Sequence, residues 1–197
     1  MPNMGNSTVR MDGLWKKQKL WEILTLSGRT EESLRAELDK DGVIAVKIPD
    51  RAFVGFMRKY IPEDVLQGMF RAKYLEGADF YPDMLVTLSE EYPDSATTIA
   101  RYTTDDRLAL ILPELYPDER VYISWVVEGT WDYGSCTIYQ HQVFDDKTGN
   151  LIEEIEADGE DEEEEYSSSQ MMCEVTAGIY PDDFPWYDPE VDGDLPF

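Results

Sequence analysis

The sequence predicts an α+β fold: N-terminal helices with short strands, then an antiparallel β meander, with a flexible acidic C-terminal tail. Three observations support this class. Apolar residues recur at helical spacing between positions 30 and 73, alternate strictly from Val121 to Val127, and give way to carboxylates and prolines after position 182. We expect a frayed N-terminus (1–13), one α+β domain (14–157), an acidic low-complexity loop (158–169), a last strand (170–181) and an acidic aromatic tail (182–197).

The first elements follow from caps and periodicity. Residues 20–26 alternate loosely and are interpreted as a strand, with a helix as the alternative because Trp15 and Trp21 fall near one helical face. Thr30 is a suitable N-cap for a helix that Gly42 ends. The β-branched segment Val43–Ile48 then predicts a buried strand.

Three further helices are expected before the β-rich half of the chain. Asp50 is predicted to cap a helix that buries Phe53 and Met57, and Pro62 to begin the next one. Asp83 is interpreted as the cap of a short helix over residues 84–91.

The β meander begins near Arg120. Val121–Val127 is predicted to be a strand, residues 135–144 a second one, and residues 151–156 the returning strand. The loop between the last two contains Gly149, which suits a positive φ.

Charge is the feature that most restricts function. The net charge is −25, and residues 1–75 hold 13 Lys/Arg against 10 Asp/Glu, whereas residues 76–197 hold 4 against 32. Without the 14 acids of residues 158–197 the chain still carries 17 Lys/Arg against 28 Asp/Glu. A surface this acidic repels nucleic acid and anionic membranes and attracts basic proteins.

Signals for catalysis, cofactors and metals are weak. Phosphate-binding glycine loops are absent, His141 is the single histidine, and Cys136 is predicted to point to the opposite side of its strand from His141. Cys173 with His141 as a nucleophile pair is left open, as is a nuclease-like Pro-Asp…Asp-x-Lys pattern at 117–118 and 145–147. We expect no catalytic, cofactor-binding or metal-binding residues, and hence no enzyme.

Cysteine content and the N-terminal sequence bear on compartment. Two cysteines build no disulfide framework, and the N-terminus lacks the basic and apolar regions of a signal peptide. We therefore expect a cytoplasmic protein with no membrane partner.

The C-terminal tip carries the one family resemblance. It reads Asp192, Gly193, Asp194, Leu195, Pro196 and Phe197, and it resembles the C-terminal tip of bacterial single-stranded-DNA-binding proteins. Gly193 departs from the family, which usually has an acid there. The resemblance covers these six residues and implies a protein-binding tail that docks onto enzymes of DNA metabolism. An ordinary acidic terminus is the alternative.

The N-terminal half offers a different candidate surface. Aromatic and basic residues interleave there, as they do where rings stack on bases and cations meet phosphates. The candidate nucleic-acid contacts are Trp15, Lys17, Trp21, Arg58 and Lys73. Amphipathic helices with tryptophans in the core and lysines in solvent are the competing interpretation.

These observations favour a non-catalytic acidic interaction protein. We expect a DNA-mimic type inhibitor or adaptor acting on a basic nucleic-acid-processing protein, such as a phage or mobile element would use against host defence. Its acidic interaction residues would include Glu160, Asp161, Glu162, Glu163, Glu164 and Glu165. A single-stranded-DNA-binding accessory protein that recruits enzymes through its tip, and an acidic immunity protein, are the alternatives.

Overall fold

The computed structural model describes residues 4–70, 75, 82–101, 104–128, 132–140, 142–147, 149 and 151. In this part of the chain, five α-helices pack on an antiparallel sheet of seven strands, which confirms the α+β class. The helices are α1 (Gln18–Thr25), α2 (Glu31–Asp41), α3 (Asp50–Tyr60), α4 (Glu63–Met69) and α5 (Arg107–Leu115). The strands are β1 (Met4–Arg10), β2 (Val43–Ile48), β3 (Met84–Ser89), β4 (Ser95–Arg101), β5 (Val121–Val127), β6 (Asp132–Tyr139) and β7 (Gln142–Asp145).

Strand β1 occupies the middle of the sheet, whose order is β2-β3-β4-β1-β5-β6-β7. Its residues pair with β4 on one side and with β5 on the other. The prediction that residues 1–13 are frayed is therefore wrong for Met4–Arg10. Its inward residues Gly5, Ser7 and Val9 include one large apolar side chain, so the strand has almost no hydrophobic alternation to detect.

The two faces of the sheet differ in burial. Alternate strand residues such as Val46, Val86 and Ile123 point inward and join the helices in one hydrophobic cluster. Their sequence neighbours point to the opposite side, which we call the open face because no described helix contributes to a core there. The open face is half-buried to exposed, and Val126 is 43% accessible.

Several predicted elements are confirmed. Helix α2 is capped by the Thr30 side chain, which accepts a hydrogen bond from the Ser33 amide, and Gly42 follows in the left-handed conformation with φ of 72°. The helix that buries Phe53 and Met57 is present, and so is strand β2, although the strand is buried on one face only because Val43, Ala45 and Lys47 are exposed.

Residues 20–26 form most of helix α1 instead of a strand, because Leu20, Trp21, Ile23 and Leu24 are buried at helical spacing. The helix that the sequence predicted for residues 84–91 is strand β3, in which Met84, Val86 and Leu88 alternate inward.

The caps assigned to Asp50 and Asp83 are both wrong. Pro49 occupies the N-cap of α3, and Asp50 is the buried first residue of that helix. The Asp83 carboxylate accepts a hydrogen bond from the Asp50 amide at 3.3 Å, so it serves a helix distant in sequence.

The C-terminal strands β5, β6 and β7 form the predicted meander. Residues 135–144 are two strands instead of one, since the chain turns at Gln140, whose φ is 51°. Gly149 has the expected positive φ of 67°, and Leu151 pairs with Phe144. The predicted strand at 151–156, the loop 158–169, the strand 170–181 and the tail 182–197 lie, apart from Leu151, outside the described residues.

A close contact between β5 and β6 provides a test of this register. A Cβ at Gly134 would lie 2.1 Å from Cζ2 of Trp125, so an added methyl group must displace the indole or the strand. Gly134→Ala is expected to lower the free energy of unfolding by ~1–3 kcal/mol.

The matched control is Gly55→Ala on the exposed side of α3, where nothing lies within 4 Å of an added Cβ. Here the better helix propensity of alanine should raise stability by ~0.5–1 kcal/mol. Denaturant melts of both variants measure the difference. Equal stabilities for Gly134→Ala and the parent protein would contradict the packing of Trp125 over this glycine.

Candidate functional site

The two tryptophans that the sequence placed in a nucleic-acid surface belong to the core side of the structure. Trp21 is 1% accessible, and its indole nitrogen donates a hydrogen bond to the Trp15 carbonyl at 2.6 Å. The Trp15 indole is half-buried and donates to the carbonyl of Ser95 at 3.0 Å. Trp21 presents no face on which a base could stack, so the competing interpretation is correct for it.

The basic residues of that set are engaged elsewhere. Lys17 binds the Glu119 carboxylate at 2.6 Å, and the Arg58 guanidinium donates to the carbonyl of Leu75 and to Glu63. Lys73 lies outside the described residues. The described members of the set therefore form no open groove, and the structure does not support a nucleic-acid site there.

A buried charge cluster surrounds Arg107 at the start of α5. The guanidinium donates to both carboxylate oxygens of Asp105 at 2.9 and 2.6 Å, to Asp50 at 2.7 Å and to the Pro82 carbonyl at 2.9 Å. Asp105 and Arg107 are 2% and 5% accessible. Because these contacts already engage the guanidinium in the interior, the cluster holds α3, α5 and the entry to β3 together and binds no anion.

The described cysteine is also structural. Cys136 is fully buried on the inward face of β6, and burial, followed by the nearby carboxylate Asp146, raises the pKa of its thiol far above the usual range. A thiol that stays protonated is a poor nucleophile and a poor metal ligand. His141 and Cys173 lie outside the described residues, so the suggested nucleophile pair is not visible.

The nuclease-like pattern does not assemble. Pro117 lies beside the β6–β7 turn, where its carbonyl accepts a hydrogen bond from the Gln140 amide, whereas Asp145 is the last residue of β7 and Lys147 follows at that far end. The described residues contain no group of three or more potential metal-binding side chains. Nor does any described helix have the length and apolar character to cross a membrane.

Exposed carboxylates gather at one corner of the molecule. Pairing of β2 with β3 sets Val43 opposite Ser89, and the Glu90 amide donates to the Gly42 carbonyl at 2.8 Å. The β3–β4 turn thus lies against the C-terminal end of α2. We call the resulting surface the acidic corner; its residues are Asp39, Asp41, Glu90 and Glu91, all exposed.

Few cations balance this corner. Lys40 approaches Asp41 at 3.5 Å, with side chains 81% and 49% accessible, so water screens the pair strongly. No ion pair to a described residue is formed by Asp39, Glu90 or Glu91. Sequence analysis missed this surface because positions 39–41 and 90–91 meet only through the β2–β3 register.

The acids of α2 lie at both ends of the helix, with opposite energetic effects. Glu31 and Glu32 are in the first turn, where the helix dipole favours negative charge, and a hydrogen bond from Arg35 lowers the pKa of Glu31. Asp39 and Asp41 are in the last turn, where the dipole opposes negative charge. Helix stability therefore explains why Glu31 and Glu32 are acidic, but it does not explain the acidic residues Asp39 and Asp41.

Comparisons with known proteins found no relative from which a function could be inferred. No protein-family model matches the chain, and neither the curated proteins nor the solved structures contain a significant match.

The two ends of α2 yield a paired test. Asp39→Asn is expected to raise the free energy of unfolding, and Glu32→Gln to lower it, each by ~0.3–1 kcal/mol at low salt. Both residues are exposed and lie on the same side of the helix, so the variants differ mainly in their position along the dipole. Denaturant melts at low and high salt measure the effect, which salt should diminish. Changes of the same sign in the two variants would contradict this account of the acidic corner.

Proposed function

We propose that this protein is a non-catalytic acidic interaction protein that binds a basic nucleic-acid-processing protein, as an inhibitor or adaptor of the DNA-mimic type. The observation that carries the proposal is the acidic corner. The β2–β3 register places the turn that carries Glu90 and Glu91 beside the C-terminal end of α2, where the helix dipole opposes the exposed carboxylates of Asp39 and Asp41. Carboxylates at positions with such a cost to stability are best explained by what they bind.

The chemistry of this corner suits a surface that otherwise holds phosphates. Its carboxylates are exposed and weakly paired within the described structure, so a basic partner does not have to break internal salt bridges before it binds. The excess negative charge of the chain would also steer a basic partner toward it at low salt.

The C-terminal segment would provide a second contact. After Lys147 the chain has no further Lys or Arg, and its last residues are the Asp192–Phe197 tip. Acidic residues beside an apolar aromatic group suit a basic pocket with an apolar floor, and such a contact adds avidity to the acidic corner. Partners of the host-defence type and basic toxins offer the same chemistry, so the immunity alternative differs in the partner and not in the surface used.

The single-stranded-DNA accessory function is less favoured. Its sequence-based site required Trp15, Lys17, Trp21 and Arg58 on one groove, yet Trp21 is buried and Lys17 is bound to Glu119. A net charge of −25 adds a long-range repulsion for nucleic acid.

The test is displacement of DNA from basic enzymes. Fluorescent duplex DNA is bound to each of a panel of purified nucleases, restriction endonucleases and CRISPR effectors, and anisotropy is followed as the full chain is added. We expect at least one enzyme to release its DNA, with an inhibition constant that weakens as salt rises.

Two variants with the same net charge locate the surface. The corner variant removes four charges through Asp39→Asn, Asp41→Asn, Glu90→Gln and Glu91→Gln, and it should inhibit about tenfold less well. The control removes four exposed charges elsewhere through Asp12→Asn, Asp64→Asn, Asp118→Asn and Glu128→Gln, and it should retain most of the inhibition. Equal loss in both variants, or an unaffected panel, would contradict the proposal.

A further inference from the structure

The open face of the sheet lacks the residue types that dominate the rest of the chain. None of its strand residues is Asp or Glu, although the chain contains 42 of them. From β2 to β7 these positions are Val43, Ala45, Lys47, Leu85, Thr87, Ser89, Ser95, Thr97, Ile99, Arg101, Met4, Asn6, Thr8, Arg10, Tyr122, Ser124, Val126, Tyr133, Ser135, Thr137, Tyr139, Gln142 and Phe144. Two carboxylates from adjoining loops still reach the face: Asp146 accepts a hydrogen bond from Thr137 at 2.6 Å, and Asp83 lies 3.4 Å from Lys47.

Three cations lie over tyrosine rings on the β1–β5–β6–β7 half of this face. Arg10 is 4.7 Å from the ring centre of Tyr122, Arg120 is 5.5 Å from that of Tyr139, and Lys147 is 4.8 Å from that of Tyr133. We call these three pairs the cationic patch.

Within the described structure these three cations have no carboxylate partner, whereas Lys17, Arg29, Arg35, Lys47, Arg58 and Arg107 all have one. The patch is therefore a positively charged surface on a strongly negative chain.

The chain leaves the described structure at this patch. Arg10 pairs with Tyr122, Tyr122 with Thr137, Thr137 with Phe144, and Phe144 with Leu151, so the patch and Leu151 share one row across the sheet. Four strand spacings separate Leu151 from Arg10, or about 19 Å. The residues that follow are among the most acidic of the chain: ten of the thirteen at positions 153–165 are Asp or Glu, and none is Lys or Arg.

We propose that the acidic segment 153–165 folds back over the open face and binds the cationic patch in its own chain. Its length is sufficient, because fourteen residues from position 152 reach up to about 46 Å when extended. Its charge complements Arg10, Arg120 and Lys147, and because no strand position of the face is Asp or Glu, the segment meets less repulsion there than on the other surfaces.

Effective concentration favours this occupant over the alternatives. A segment joined to the sheet by one or two residues is present at the face at a concentration in the millimolar range or above. A single-stranded nucleic acid would have to displace it from a molecule of net charge −25, and a second copy would have to bind from micromolar solution.

The acidic residues of the chain then have two roles, and these are the same whichever partner the acidic corner binds. The segment 153–165 neutralises the protein's own cations, whereas the acidic corner and the tip remain available to other molecules. A DNA-binding enzyme that approached would then meet a uniformly negative surface.

Proteolysis tests the docking in the full chain. A glutamate-specific endoprotease cleaves within residues 153–165 when they are released from the patch. Arg10→Gln, Arg120→Gln and Lys147→Gln together should raise the cleavage rate there about tenfold, as should high salt. The matched control replaces three cations of the helical layer, Lys16→Gln, Lys19→Gln and Lys59→Gln, two of which also lie over a tyrosine, and should leave the rate unchanged.

Cross-linking provides a second measurement that preserves the charge of the face. In Arg10→Lys, carbodiimide coupling should join the amine at position 10 to carboxylates of residues 153–165 within single chains at low protein concentration.

Equal cleavage rates in all variants together with absent cross-links would overturn the proposal. Cross-links that form only between chains would assign the face to a second copy. The open face would be assigned to nucleic acid if two results came together. Residues 153–165 of the unaltered protein would be cleaved fast, and the triple variant of Arg10, Arg120 and Lys147 would lose binding to a dT oligonucleotide. Either result also overturns docking in the same chain.

Discussion

The structure depends on the pairing of strand β1 with both of its neighbours. Strands β2, β3 and β4 form one antiparallel unit and β5, β6 and β7 another, and the two are joined in the sheet only through β1, which hydrogen-bonds to β4 and to β5. The Thr98 hydroxyl, which donates to the Asp105 carbonyl and lies 3.2 Å from the Ser7 carbonyl, connects this seam to the buried Arg107 cluster. Loss of β1 would divide the sheet and leave backbone groups of two strands unpaired in the interior.

This single sheet is also what separates the charges. Helices cover one face and bring carboxylates to their exposed sides and to the acidic corner, while the other face holds hydroxyls, tyrosines and cations. Lys17, Arg35 and Arg58 pair with carboxylates in the helical layer, whereas Arg10, Arg120 and Lys147 lie over rings. The net charge of −25 is thus distributed unevenly. A basic partner would bind the helical side, and an acidic segment would bind the open face.

Caps and hydrophobic periodicity predict the helices and strands in which they occur. They do not predict elements whose formation depends on pairing between segments distant in sequence. The Thr30 cap, the Gly42 ending and the alternation of Val121–Val127 are all read correctly from neighbouring residues. Strand β1 has too few apolar residues to be recognised, and Asp83 caps α3 through a contact 33 residues away in sequence. The sequence patterns predict neither strand β4 nor helix α5. Trp15 and Trp21 are interspersed with lysines in the sequence, but both pack against the core, which the sequence pattern does not show. The acidic corner and the cationic patch arise from strand register, which periodicity alone does not reveal.

Amide hydrogen exchange of β1 tests the account most directly, because the sheet is continuous from β2 to β7 only if this strand joins its two halves. The account predicts that amides of Met4–Arg10 exchange as slowly as those of β4 and β5, near the limit set by global unfolding. Exchange of these amides at the rate of an unstructured peptide, while β4 and β5 stay protected, would contradict it.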